Sequence, residues 1–520
     1  MRIKFESASF ARIFTLMFAI AALTVLSVLL LTGCQNGDNP SVADNDGVRD
    51  AASAGDLDLD DMSGENDEGD ILNMGSRENV RDDLPDINFG GEDFTILQRT
   101  EWNYEFLSES QTGDVVNDAV YMRNLAVEER FNIKLNLVET PGLWEYQDTF
   151  IRTVRNSVSA GDDDYQLISG YAAYMPRLQT GGFLLNLHDL EHIDFDRAWW
   201  STDLKDNLTI NDKMFLATGD IALSLWEHIL AIYFNKQMAA DYQLENLYDT
   251  VRSGKWTLDK INEVSRSVYR SIDGSGQISE TGDIFGYATD TGNLVDNFYG
   301  AFDTPVIRKD ENGVPYHAQN IPKMAEIAEK VHAFLWENPG AYTNIIAASG
   351  PENLYRYIFE ENRCMFLPEL LGNAQSLRNM DTDFGIIPYP KWDENQDNYL
   401  TTSVAYFSLF CVPITVQNLE MTGVITEALC VESYKKVIPA FYEIALKTKH
   451  ARDDESSEMI DIIRNGLTFD FGKIYVTELA YSMNILRDLI TAKNTNFVST
   501  FERGERQYDR ALEKVLETFE

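Results

Sequence analysis

Hydrophobic and polar positions divide the chain into three stretches of different character. Positions 13–31 are almost unbrokenly apolar, positions 35–88 are rich in Asp, Glu, Asn, Gly and Ser with no aromatic residue, and from about position 93 apolar residues recur periodically. The middle stretch offers too little apolar surface to offset the entropy lost on ordering, so it reads as disordered. In the third, Phe94-Thr95-Ile96-Leu97 reads as a strand, and 114–131 reads as a helix because Val116, Val120, Val127 and Phe131 share one face. Positions 134–138 alternate as a strand, 146–160 return to helix, and 165–169 form a strand again. Strands alternating with helices imply parallel sheet covered on both faces. After Ser224 the pattern repeats, with a strand at 229–234, helices at 244–253, 257–271 and 321–336, and strands at 365–367, 384–388 and 406–413. The C-terminal part is mostly helical and ends with Tyr508, Leu512, Val515 and Phe519 on one side of a helix. No tandem repeat of fixed period occurs.

The apolar run gains meaning from its flanks. Arg2, Lys4 and Arg12 precede it, and Leu31-Thr32-Gly33-Cys34 closes it with small residues at a cleavage point, the order an export signal requires. The closing string resembles the lipobox of bacterial lipoproteins. That resemblance implies a signal peptide over 1–33 and a lipid on Cys34, and the acidic stretch read above as disordered becomes a tether over 34–90 with a typical end-to-end distance of roughly 40 Å. An uncleaved membrane helix is the alternative, since about 19 apolar residues can span a bilayer. Either reading leaves the remainder outside the cytoplasm.

Length and charge narrow the function classes. At 520 residues the chain exceeds what one core supports, so more than one lobe is expected, and 44% hydrophobic residues are enough to fill sizeable cores. A formal net charge of -41 argues against nucleic acid, whose phosphates demand clustered Lys and Arg, and against attraction to anionic lipid. Cys364, Cys411 and Cys430 lie in apolar stretches and read as buried thiols, with a disulfide between two of them left open.

Catalytic signatures are weak. Asp56, Asp58 and Asp60 have the first ligand spacings of a calcium loop, but Asp61 stands where glycine is needed and Asp67 where glutamate is needed. His188-Asp189-Leu190-Glu191-His192 fits the H-x-x-E-H pattern of a zinc peptidase class, yet its surroundings read as an extended segment entering a turn. No G-x-S-x-G elbow, phosphate-binding loop or G-x-G-x-x-G loop is present. With 84 acidic residues, carboxylate pairs fit for glycoside hydrolysis are expected by chance. No metal and no cofactor is expected. Aromatic residues at strand ends are more informative: Trp102 and Tyr104 after the first strand, Tyr171 and Tyr174 after the third, Trp226 before the strand at 229, and Trp256, Phe298, Tyr299 and Tyr406. Ligands of parallel α/β sheets bind beyond the carboxyl ends of the strands, and flat aromatic faces suit sugars. Core packing is the competing explanation for each of these rings, and the favoured one for Trp199 and Trp200.

From about Asp93 to Glu520 the chain resembles the extracellular solute-binding proteins of bacterial ABC importers, particularly carbohydrate-binding lipoproteins related to maltose-binding protein. The resemblance rests on Asp118-Ala119-Val120-Tyr121 with Arg123-Asn124, Tyr165-Gln166-Leu167-Ile168, Ile232-Tyr233-Phe234-Asn235-Lys236, Gly254-Lys255-Trp256-Thr257, Phe384-Gly385-Ile386-Ile387-Pro388-Tyr389-Pro390 and Val437-Ile438-Pro439-Ala440-Phe441-Tyr442-Glu443, in that order. It implies an α/β, two-lobed periplasmic-binding-protein-like fold with an interlobe hinge, a ligand cleft and a helix-rich C-terminal part. The crossings fall near 219–223, near Phe366 and near Val412. The N-terminal lobe is then 91–222 plus 366–411, and the C-terminal lobe 223–365 plus 412–520. By position the resemblance points to Glu227, Tyr171, Trp102, Asn293, Glu369 and Tyr406, which with Tyr104 and Trp226 from the strand-end aromatics are the ligand-binding candidates. Where the family often has Gly-Pro-Trp, this chain has Pro368-Glu369-Leu370-Leu371, which leaves the identity of the sugar open. The implied function is capture of a carbohydrate by hinge closure and delivery to transporter permease subunits, by a lipid-anchored monomer that is not an enzyme. A cell-surface glycan-active enzyme and a sensing or adhesive lipoprotein are the alternatives.

Overall fold

The computed structural model describes residue 77 and residues 79–520, apart from 273–281, 319, 346–353, 378–379, 443–445 and 447–453. The signal segment, Cys34, the Asp-rich string at 56–67 and most of the expected tether therefore lie outside the described residues. Ordered packing begins earlier than the expected boundary at 91. Phe89 is buried against Phe131 with ring centroids 6.5 Å apart, its N–H donates to the Phe131 carbonyl at 2.9 Å, and Asp82 pairs with Arg130.

The strands among the described residues are β1 (Glu92–Arg99), β2 (Ile133–Thr140), β3 (Leu167–Tyr171), β4 (Leu230–Asn235), β5 (Phe285–Asp290), β6 (Ile307–Lys309), β7 (Pro315–His317), β8 (Ala341–Asn344), β9 (Cys364–Leu370), β10 (Phe384–Ile387) and β11 (Ser408–Cys411). The helices that matter below are α1 (Val115–Phe131), α2 (Gln147–Ala160), α3 (Thr202–Leu208), α4 (Leu258–Val268), α5 (Asn293–Ala301), α6 (Ile321–His332), α7 (Leu419–Glu432), α8 (Asp454–Asn465), α9 (Phe471–Ile474), α10 (Ile485–Thr491) and α11 (Phe497–Leu516).

Local chemistry sets these elements. The Asp114 carboxylate caps α1 by accepting from the N–H groups of Val116 and Asn117, and Asn132 ends the helix in the left-handed region at φ 49°. Leu258, Ile261, Val264 and Val268 give α4 one buried face. The helix sits so close to β5 and to the start of β8 that a Cβ on Gly286 of β5, or on Gly340 just before β8, would lie 2.1 or 2.0 Å from the Ser265 carbonyl oxygen. Every residue of β3 and β4 is buried, as central strands covered on both faces require.

Two larger sheets result, with orders β11-β3-β1-β2 and β10-β4-β9-β5-β8, beside a β6-β7 hairpin. The expected parallel pairing is present in both sheets but does not extend to every strand. β1 runs parallel to β2 and β3, but β11 is antiparallel to β3, and β4 is antiparallel to both β9 and β10. β4 and β11 are the strands the chain enters on passing from one sheet to the other. They do not return by a βαβ crossover, so the parallel constraint does not bind them.

Sheet membership also moves the expected lobe boundaries. Strands β9 and β10, expected in the N-terminal lobe as part of 366–411, pair in the second sheet, and only β11 joins the first. The expected crossing near Phe366 is therefore absent. The second passage instead runs through about 403–407, where Ser403 still bridges Ile229 and Ser408 already pairs with Tyr171. Helix α7, expected in the C-terminal lobe, packs on α1 of the first lobe, whereas α8 packs on β10, so the third passage lies between them and not near Val412.

A buried polar hub fastens the first two passages. The Glu105 carboxylate accepts from the Ser224 N–H at 2.9 Å, the Ser224 hydroxyl at 2.7 Å and the Ser408 hydroxyl. The Ser408 N–H donates to the Ser224 Oγ at 3.0 Å, and Arg99 donates to the Ser408 Oγ at 2.9 Å. The three thiols are free and buried.

Candidate functional site

A cavity of about 460 Å³ opens at the carboxyl ends of β1, β2, β3 and β5. Trp102 follows β1, Trp144 follows β2, Tyr171 ends β3, and Tyr406 comes from the second passage. Asn293 and Asp296 from the start of α5, with Lys473, Tyr481, Met483 and Arg487 from the C-terminal part, form the opposite wall.

The aromatic wall is held from behind. Trp102 has non-helical backbone (φ -120°, ψ 26°) within the turn after β1, and its ring lines the cavity. The Arg99 guanidinium lies 4.3 Å from the Trp102 ring centroid and 5.6 Å from that of Tyr171, and donates to the Tyr406 carbonyl at 2.8 Å. The His228 imidazole meets both Trp102 and Tyr406 edge-on, at centroid distances of 5.7 and 5.8 Å. Burial, with the Arg99 charge adding to it, pushes His228 down to about 3, so it stays neutral between the rings. Tyr171 stacks on Tyr174 at 5.2 Å and meets Tyr406 at 5.5 Å. Burial raises both phenols, Tyr171 and Tyr406, and they keep their protons.

The polar wall is a chain of fixed donors and acceptors. Asn293 donates to the Tyr406 hydroxyl at 2.5 Å and accepts from Arg487 at 2.9 Å, while the Arg487 Nε donates to buried Asp296 at 2.9 Å in an ion pair. Such a strip, facing flat rings, can bind hydroxyl groups while the rings cover C–H faces.

Of the sequence candidates, Trp102, Tyr171, Asn293 and Tyr406 come together here. Tyr104 and Glu227 do not line this cavity: Tyr104 is exposed and donates its hydroxyl to the Glu227 carboxylate, whose pKa burial pushes up to about 7. Trp226 packs edge-on against Tyr442 at 5.5 Å, with the Arg464 guanidinium 5.0 Å from its ring. Glu369 is buried in an ion pair with Arg356 and accepts from Asn373 at 2.8 Å. The rings of Trp256, Phe298 and Tyr299 are core. So are Trp199 and Trp200, whose indole N–H groups share Glu427 at 2.8 and 2.7 Å.

The histidine string forms no metal site. Leu187–Asp189 is one short turn and His192 has φ 73°, so the two imidazoles do not share a helix face, and no group of three metal-ligating side chains occurs among the described residues. Residues missed from sequence include Trp144, which the strand-end rule that found Trp102 also covers. Lys473, Tyr481 and Arg487 carry no such local signal. Tyr481 follows Ala480, and both occupy the left-handed region at φ 60° and 53°, an unusual non-glycine pair at the cavity rim.

No family model and no curated protein matches the chain. Solved structures do. UspC of Mycobacterium tuberculosis is 11% identical with a TM-score of 0.51, over 81% of this chain and 100% of that one. The galacto-N-biose/lacto-N-biose I-binding protein of the Bifidobacterium longum ABC transporter is 12% identical with a TM-score of 0.51, over 80% and 98%. A cyclo/maltodextrin-binding protein complexed with maltotetraose is 11% identical with a TM-score of 0.50, over 82% and 96%. The fold is therefore the two-lobed α/β fold of solute-binding proteins.

Proposed function

We propose that this protein is an extracytoplasmic solute-binding protein that captures a saccharide between its two lobes and presents it to the permease subunits of an ABC importer. The observation that carries the reading is the cavity itself, with aromatic faces at the strand ends of the first lobe and the Asn293–Arg487–Asp296 strip opposite. Two proteins of the same fold support it, one complexed with lacto-N-biose and the other with maltotetraose. Capture needs no bond broken and no cofactor. A ligand touching both walls stabilises whichever state brings them together, and the transporter distinguishes that state from the open one.

Lipidation at Cys34 would keep the binder beside its transporter, with the acidic segment after it as a spacer. Among the described residues no helix is long and apolar enough to cross a membrane. Cys34→Ser is expected to abolish labelling by radioactive palmitate and release the protein from the membrane fraction. Retained labelling would refute the anchor.

Titration calorimetry of the purified protein against mono- and oligosaccharides tests the binding function. Micromolar or tighter affinity for a saccharide is expected, with no turnover of the sugar by chromatography. Silence across the panel, or release of cleaved product, would overturn the reading.

A further inference from the structure

Lys473 lies at the meeting of two cavities. It lines the aromatic site and also a second space of about 340 Å³, and Met483 does the same. Its ammonium donates to the Thr402 hydroxyl at 2.5 Å, and that hydroxyl donates in turn to Asn297 Oδ1 at 2.8 Å. The lysine is thereby fixed in direction. An ammonium carries three donors, and no second hydrogen bond from Lys473 occurs among the described residues.

The charge around this group is unbalanced. Arg487, the other cation in the aromatic site, is paired with Asp296. Glu145 stands exposed at the cavity edge. Asp470, whose charge favours the ammonium, accepts from the backbone N–H groups of Val306 and Gly472 at 2.5 and 2.6 Å and forms no ion pair with Lys473 among the described residues. The second cavity carries Asp203, Asp206 and Asp303 along with Arg308 and Lys309, but none of these forms an ion pair with Lys473 among the described residues. In a chain whose formal net charge is -41, an ammonium without a paired carboxylate in the wall of the ligand site is a local exception. Burial lowers its pKa to about 7 against the opposing pull of Asp470, which is the electrostatic cost of taking the charge out of water. A ligand carboxylate placed against it removes that cost and supplies charge-assisted hydrogen bonds.

We propose, building on the saccharide reading above, that the solute is an acidic saccharide, one bearing a uronic-acid carboxylate that seats on the Lys473 ammonium. Binding is then measured for trimers of galacturonate, glucuronate and mannuronate, each beside its carboxyl-reduced neutral counterpart. At least one uronate trimer is expected to bind about ten-fold or more tighter than its neutral partner. Lys473→Met is expected to abolish the ratio between the two, so that the uronate trimer and its carboxyl-reduced counterpart bind this variant within about two-fold of each other. Equal binding of acidic and neutral forms, or binding of neutral saccharides only, overturns the acidic class but leaves saccharide capture standing. A preference that survives in Lys473→Met removes Lys473 as the recognising group. Absence of binding to every saccharide, neutral ones included, overturns the function proposed above and this inference with it.

Discussion

Trp102 and Trp226 separate what a tryptophan can do in this chain. Both precede or follow a strand, and sequence offered both as ligand contacts. Trp102 presents its ring to the cavity with Arg99 and His228 behind it, whereas Trp226 lies against Tyr442 and Arg464 outside that space. Trp102→Ala is therefore expected to weaken saccharide binding by about 1–3 kcal/mol with the fold intact, as loss of a central aromatic contact does. Trp226→Ala is expected to leave affinity unchanged and to lower stability by about 3 kcal/mol through lost packing. Calorimetry and urea unfolding on the two variants check the pair, and the opposite assignment of effects would place the ligand elsewhere. At this scale the strand-end aromatics were legible because α/β topology fixes where such residues sit. Lys473 and Arg487 were not, since they reach the cavity from short C-terminal helices whose docking is decided by tertiary packing.

The passages between the sheets show the same division among elements. That strands alternate with helices, and that a strand begins near Leu230, could be read from the apolar pattern alone. Which sheet takes the run Met365-Phe366-Leu367 could not, because a fully buried strand looks the same in either sheet. The hub at Glu105 depends on that outcome, since it joins Ser224 of the first passage to Ser408 at the end of the second. Its carboxylate also balances Arg99, a guanidinium only 1% exposed. Removing one member of such a buried charged network leaves the other uncompensated, so Glu105→Ala is expected to cost about 3–5 kcal/mol in urea unfolding. A loss under about 1 kcal/mol would show that water or relaxation replaces the carboxylate and that the passages do not rely on it.

Taken as a whole the molecule carries a large negative charge, and its buried carboxyls push its stability in the same direction with pH. Burial lifts Asp220, Glu227 and Glu427 to about 7 and Asp290 and Asp470 to about 6. A carboxyl raised on folding contributes stability that is full below its unfolded value, near 4, and is lost as pH rises through the folded value. Each costs roughly 1 kcal/mol per pH unit while only the unfolded chain is ionised. His228, lowered to about 3, acts oppositely as pH falls below its ordinary range, and Lys473, lowered to about 7, acts only above that pH. Between pH 7.5 and 5.5 these five carboxyls thus oppose one imidazole, and protonation also relieves the self-repulsion of a net charge of -41. The thermal midpoint is expected to rise by roughly 3–6 °C from pH 7.5 to 5.5. Salt tells the two causes apart, because it screens exposed charges and hardly touches buried ones. A rise that persists in 0.5 M salt, where the Debye length is about 4 Å against about 10 Å at 0.1 M, belongs to the buried carboxyls. A rise confined to low salt belongs to surface repulsion, and would mean that these carboxyls titrate near their ordinary values in the folded protein.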